Sequence, residues 1–372
     1  MAATPYYSYD RALLEETLRQ ALKASSLVRK AHIHYAIKAN SNPQILRIIA
    51  DSGMAADCVS GGEMTLALRS GFKAEGIYYA GVGKSDDEIR FALRSGIGCF
   101  NVESIEELSI INAIAQEEGL VASVALRINP DIEAHTHTNI ATGRAENKFG
   151  INLEKFDKAV TDVLSSPYLN LAGLHFHIGS QILDMGDFEQ LCHRINALQD
   201  RLLKGGIHVG CINVGGGLGI DYEYPELHPV PDFKAYFETF AKYLRLDEDQ
   251  EFHCELGRSI VAQCGSLITR CILVKEGSVK RFVIVDAGMN DLIRPALYGA
   301  KHKIENISAP GGEQQLYDVV GPICETTDSF AQDILLSHTR RGDLLAIRSA
   351  GAYGESMSST YNSRPLPQSV IE

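Results

Sequence analysis

Eight short β-rich runs recur through the first two-thirds of this 372-residue chain, each separated from the next by a longer stretch with helical spacing. They lie at 33–37 (IHYAI), 55–59 (AADCV), 77–80 (IYYA), 97–101 (IGCFN), 122–128 (ASVALRI), 171–177 (LAGLHFH), 209–214 (VGCINV) and 251–255 (EFHCE). Between them apolar residues fall at i, i+3 and i+4 positions, as in Ile105, Leu108, Ile111 and Ile114. Strands alternating with crossover helices build a parallel sheet, and this number of them favours a closed (β/α)8 TIM-like barrel over a doubly wound sheet. After about residue 263 the texture changes. Segments 267–275, 281–286, 316–320 and 343–348 read as strands with no long helix between them, and Gly, Pro and Asn cluster in the gaps. The expected organisation is a barrel over 14–263 followed by an all-β domain over 264–372, which also takes in residues 1–13 and a strand at 5–9.

A net charge of -12 excludes a nucleic-acid surface, which requires concentrated Lys and Arg. No apolar run approaches the roughly 18 residues of a membrane span, and the opening MAATPYYSYD lacks the regions of a secretory signal. The 8 cysteines include no CxxC pair and read as reduced, mostly buried thiols. A cytoplasmic, cofactor-using enzyme without nucleic-acid or membrane partners is expected.

Chemistry in a barrel enzyme gathers at the C-terminal strand ends. Lys38, Asp57, Asn101, Arg127, His177, the glycines at 215–217 and Glu255 all fall there. Lys38, in YAIKAN, reads either as a solvent-reaching strand end or as a Schiff-base lysine on a rigid mount. The glycines of NVGGGLG (213–219) either form a structural turn or present clustered amides to a phosphate. His175 and His177 share one strand face; a metal pair is discounted for want of a third ligand nearby, leaving stacking on an aromatic cofactor or core histidines. Glu255 reads as the partner of a pyridine nitrogen, or as half of a barrel-end ion pair with Arg127 or Arg258. No metal is expected.

The segments YAIKANSN, DCVSGGE, NPDIEAHTH, ENKFGI, GLHFHIGSQI, NVGGGLGIDY, ELGRSIVA, FVIVDAGMNDLIRPALYGA, VVGPICETTD and GAYGESMSSTYNSRP run in order through most of the chain. Together they resemble the fold-type III pyridoxal-phosphate decarboxylases, specifically the diaminopimelate decarboxylases. The resemblance implies an alanine-racemase/ornithine-decarboxylase-like fold, pyridoxal 5'-phosphate as cofactor, and a homodimer with shared active sites. The implied reaction converts meso-2,6-diaminopimelate to L-lysine and CO2, the last step of lysine biosynthesis. By matching positions Lys38 carries the cofactor, His177 stacks on its ring and Glu255 faces its nitrogen. Gly216, Gly217, Gly257, Arg258 and Ser180 hold the phosphate, while Asp57, Glu63 and Arg127 support the lysine and cofactor. Arg258, Arg294 and Tyr298 are implied to grip the distal carboxylate of the substrate, and Glu325 its distal ammonium. Tyr353 contacts cofactor and substrate, and Cys324 of a neighbouring subunit donates the final proton.

Three departures accompany the match. Leu256 stands where the family usually has proline, Lys301 follows Ala300 where an aromatic is common, and relatives usually continue through another strand after NSRP (362–365). Ornithine- or lysine-type decarboxylases share most of the cofactor residues but have no use for a distal carboxylate grip. The DAGMNDLIRPALYGA stretch argues against carboxynorspermidine-type relatives. An alanine-racemase-like isomerase would place arginine where Glu255 stands, and a non-catalytic pyridoxal-phosphate carrier would resemble a lone barrel.

Overall fold

Strand, helix and turn follow one another with a regular punctuation over the first half of the chain. Ser60, Ser85 and Ser104 each accept a hydrogen bond from the backbone N–H three residues on, at Glu63, Glu88 and Glu107. They start helices α3 (Gly61–Ser70), α4 (Asp86–Ser95) and α5 (Ile105–Glu118). Gly71, Gly96 and Gly119 end them in the left-handed region, at φ 102, 66 and 66. Each serine cap stabilises its helix by about 1 kcal/mol, and the left-handed glycine satisfies the last carbonyls and turns the chain toward the next strand.

The computed structural model describes residues 3–132 and 148–372. Positions 133–137 of NPDIEAHTH and 146–147 of ENKFGI lie outside the described residues. The chain divides into two compact units, one of Leu18–Gly219 with Asp232–Gly257, the other of Met1–Thr17, Ile220–Pro231 and Arg258–Glu372.

In the first unit the described strands β2 (Ala31–Ala36), β3 (Ala55–Cys58), β4 (Ile77–Tyr79), β5 (Cys99–Val102), β6 (Ala122–Arg127), β7 (Leu169–His175), β8 (Cys211–Asn213) and β9 (Glu251–Leu256) form a closed barrel in that order. All pairs are parallel, and β2 closes on β9 with His32 opposite His253 and His34 opposite Glu255. Every strand lies within two residues of its expected place. Helices α2 (Pro43–Asp51), α3, α4, α5, α6 (Phe156–Ser165), α7 (Met185–Lys204) and α8 (Phe233–Tyr243) cross between successive strands. The α7 and α8 pair buries Phe188 edge-on against Tyr236, with ring centroids 5.0 Å apart.

The second unit is built on strands β1 (Tyr6–Tyr9), β10 (Gly265–Glu276), β11 (Arg281–Val285), β12 (Ile304–Asn306), β13 (Gln314–Val320), β14 (Ser329–Ser337), β15 (Leu344–Ile347) and β16 (Gln368–Ile371). The sheet order is β12-β15-β10-β11-β13-β14, with β1 antiparallel to β10 and β16 parallel to β1. The expected N-terminal strand is present. A further strand does follow NSRP, and β12 and β14 were not foreseen. Helix α1 (Arg11–Ser25) precedes β2, and the α-helices wholly within this unit among the described residues are short: α9 (Arg258–Val261) and α10 (Arg294–Tyr298). No described helix is long and apolar enough to cross a membrane. Seven cysteines are buried, Cys324 is exposed, and all are free thiols.

Candidate active site

Lys38 sits on the single 3-10 turn (Ile37–Ala39) that follows β2, where a buried isoleucine and alanine flank it. Its Nζ lies 3.6 Å from Oδ2 of Asp57, at the end of β3. Asp57 is buried, and neither carboxylate oxygen accepts a hydrogen bond among the described residues. Burial and the charge of Glu255 push the Asp57 carboxyl up to about 7, against the pull of Lys38. Glu63 accepts a 2.7 Å hydrogen bond from the Val59 N–H and is also held above its ordinary range by burial.

Glu255, near the end of β9, is a buried carboxylate with three side-chain partners. Its Oε1 accepts from Asn101 Nδ2 at 2.9 Å and Asn213 Nδ2 at 2.8 Å, and His175 Nε2 lies 3.1 Å away. Burial alone would raise this carboxyl, but His175, Lys38 and His177 outweigh it and hold the group well below the ordinary carboxylate range. The ion pair considered for Glu255 with Arg127 is not made. Arg127 instead donates to Glu103 Oε1 at 2.7 Å, and Glu103 also accepts from the Gly150 N–H at 2.9 Å. His177 lies just past β7, its imidazole lowered to about 3 by burial and by the charges of Arg127 and Lys38.

The glycine run after β8 is sterically required. A Cβ on Gly215 would stand 2.1 Å from the Phe176 carbonyl oxygen, and one on Gly216 would stand 2.0 Å from that of Glu255. Gly217 adopts φ +114. The Gly216 N–H donates to His177 Nδ1 at 3.2 Å. Ser180 is half-buried in the segment after β7, and Gly257 is buried just after β9.

In the β-rich unit two buried arginines share one aromatic surround. The guanidinium carbon of Arg258 lies 5.1 Å from the Tyr353 ring and 5.9 Å from the Tyr222 ring; for Arg294 the distances are 5.8 and 5.6 Å. Arg258 donates to the Tyr222 hydroxyl at 2.7 Å. Arg294 Nε has no hydrogen-bond partner among the described residues, and burial with the like charge of Arg258 lowers its pKa. Tyr298 closes the short helix that Arg294 opens. Tyr353 holds φ 56, a left-handed conformation that is strained for a bulky residue.

Cys324 and Glu325 are exposed on the loop after β13. The buried Asp328 shapes that loop by accepting from the Ile323 N–H at 2.6 Å and the Met289 N–H at 2.7 Å. Glu325 accepts from the Tyr361 hydroxyl.

Sequence reasoning left several of these partners without a role. The sequence marks Asn213 only as the start of the glycine run and Tyr222 only as the end of GIDY, and gives Glu103 no role. The polar residues at 101 and 103 at the end of β5 and at 213 at the end of β8 were the available signal, because a strand end inside a barrel buries its side chain.

The family described as "Pyridoxal-dependent decarboxylase, pyridoxal binding domain" matches residues 12–262. The diaminopimelate decarboxylase of Bacteroides thetaiotaomicron is 56% identical over 365 residues, covering 98% of this chain and 94% of that protein. The chain belongs to the diaminopimelate decarboxylase family. The Zymomonas mobilis diaminopimelate decarboxylase is 42% identical, with 99% of this chain and 87% of that protein aligned. A crystal structure of the Helicobacter pylori diaminopimelate decarboxylase complexed with L-lysine superposes with TM-score 0.93 at 42% identity, covering 100% of this chain and 92% of that one.

The family is pyridoxal-phosphate dependent, and the barrel unit of this diaminopimelate decarboxylase relative fits that cofactor. It offers a lysine on a rigid turn and a buried carboxylate without hydrogen-bond donors at Asp57. It also offers an ionised Glu255 suited to a protonated pyridine nitrogen, and a backbone stripped of side chains at Gly215–Gly217. The family membership bears out the expected cofactor and the expected decarboxylase class.

Proposed function

We propose that this chain decarboxylates meso-2,6-diaminopimelate to L-lysine and CO2, with Lys38 as the residue that carries pyridoxal 5'-phosphate. When bound, the cofactor supplies the electron sink into which the bond to the departing carboxylate empties. Glu255 keeps the pyridine nitrogen protonated, because two amides and His175 hold its carboxylate charged. His177 presents a neutral ring face for stacking. Asp57 and Arg127 support the lysine and cofactor. The amides of Gly216, Gly217 and Gly257, with Ser180 and Arg258, bind phosphate.

The observation that carries the choice of substrate is the pair of buried arginines between Tyr222 and Tyr353. Two buried like charges are costly unless an anion joins them. A substrate with a second carboxylate supplies one, and guanidinium forks bind it bidentately. Ornithine and lysine have none at their distal end. Tyr298 and Tyr353 complete the carboxylate grip, and Glu325 receives the distal ammonium. Cys324 Sγ is assigned to return a proton to the carbon that has lost its carboxylate. Its exposure supports delivery to a second copy of the chain, and hence a homodimer. The protein is placed in the cytoplasm, where free thiols persist.

The deciding assay measures lysine and CO2 release from meso-diaminopimelate with added pyridoxal phosphate, beside L-ornithine and L-lysine. Turnover of diaminopimelate alone is expected. Turnover of ornithine or lysine instead keeps the fold and cofactor and refutes the roles given to Arg258, Arg294 and Glu325.

A further inference from the structure

The strands that carry Lys38 and Glu255 at one end carry a second polar cluster at the other. His32 lies near the start of β2, and Glu251 and His253 lie at the start of β9. The register pairs His32 directly with His253 across the seam that closes the barrel. The four strand steps from His32 to Ala36 put this end about 13 Å before the turn that carries Lys38, so none of the three belongs to the cofactor chemistry.

Their donor atoms converge. His253 Nε2 is 3.3 Å and His32 Nε2 is 3.7 Å from the same oxygen, Oε2 of Glu251. One ligand atom from each residue lies within 4.8 Å of the other two. Tetrahedral zinc with bonds of about 2.0–2.1 Å separates its ligand atoms by roughly 3.3–3.4 Å. The two contacts to Glu251 are already near that size. The His32 side chain is 48% exposed, which leaves it room to rotate and close the remaining edge.

The protons decide what the cluster wants. His253 is 4% exposed, and its Nδ1 lies 2.7 Å from His34 Nε2. His34 Nδ1 in turn faces the carbonyl oxygen of Ala56 at 3.5 Å. With the His34 Nδ1–H turned to that carbonyl, the His34 Nε2 lone pair accepts from His253 Nδ1–H. That arrangement leaves a bare lone pair on His253 Nε2, aimed at the Glu251 carboxylate. A cation, either a proton on the imidazole or a metal ion, then relieves the two electron-rich atoms 3.3 Å apart. An imidazole whose far nitrogen is tied to a fixed acceptor is also the usual support for a metal-ligating histidine.

We propose that His32, Glu251 and His253 form a site for one divalent first-row transition metal, zinc in the first instance, which clasps strands β2 and β9 at the end of the barrel opposite Lys38. Two imidazoles and a carboxylate suit zinc and leave its fourth position to water on the exposed side. The ion binds the closed seam and not the unfolded chain, so it stabilises the barrel in proportion to its occupancy.

The test is calorimetric titration of zinc chloride into the pyridoxal-phosphate holoenzyme after dialysis against a chelator. One zinc per chain is expected, with affinity reduced at least about tenfold in both His32→Ala and Glu251→Gln, a loss of the size of one ligand or its support. Both substitutions are at half-exposed side chains, and both variants should retain the decarboxylase activity of the parent. Zinc should raise the thermal midpoint of the parent and not of the variants. Zinc affinity unchanged in the two variants overturns the proposal, because the ion would then be held elsewhere, as on the exposed thiol of Cys324. So does a parent protein that takes up no zinc.

Discussion

His175 Nε2 lies 3.1 Å from Oε1 of Glu255, and both side chains are buried inside the barrel. The imidazole adds to the two amide donors on that carboxylate and keeps it charged where burial alone would neutralise it. Glu255→Gln keeps the shape and removes the charge. Cofactor should still bind, while kcat falls about 10²–10³-fold, the size of losing one preorganised electrostatic group. Steady-state rates on cofactor-saturated enzyme check this, and an unchanged kcat would remove Glu255 from the ring nitrogen.

Lys38→Ala should abolish activity and the visible absorbance of a lysine-bound cofactor, since among the described residues no other lysine follows a strand beside Asp57. A spectrum of the dialysed variant that retained the band would sink the assignment.

Arg294→Lys keeps the charge and loses the planar fork. If the arginine binds the distal carboxylate, kcat/KM for diaminopimelate should fall about 10–100-fold, the equivalent of a charge-assisted hydrogen bond worth about 1.5–3 kcal/mol. Equal kinetics in both proteins would show that the carboxylate is gripped elsewhere.

Buried neutral histidines make the fold sensitive to acid. Burial lowers His34 to about 4, and burial with neighbouring positive charge lowers His177 and His302 to about 3, from an ordinary 6.5. As pH falls through 6.5 the unfolded chain takes up protons that the folded chain refuses. Their contribution is therefore complete above 6.5 and is lost progressively toward about 3–4. In His302→Gln the drop in urea midpoint between about pH 7.5 and pH 5 should be smaller than in the parent. An equal drop would mean that His302 does not stay neutral when folded.

Local chemistry made the barrel strands legible. Short β-rich runs and the helical spacing between them act within a few residues, so β2 to β9 were placed to within two positions. The same locality hid β12, with three residues, and β14, whose SFAQDILLS mixes polar and apolar positions because its sheet neighbours decide which face is covered. Lys38, Asp57 and Glu255 were legible as strand-end residues, and the glycines at 215–217 as a close-packed run past a strand end.

What the sequence by itself determined was the set of barrel strands, the family to which the chain belongs, and the residue types available for chemistry. Pairing was decided only by the tertiary structure. Arg127 meets Glu103 and not Glu255, because the charge nearest in three dimensions is set by barrel position. Tyr222 joins Arg258 and Arg294 from 36 and 72 residues away. His32 meets His253 only because the first barrel strand closes on the last, a contact between residues more than two hundred positions apart that no local propensity encodes.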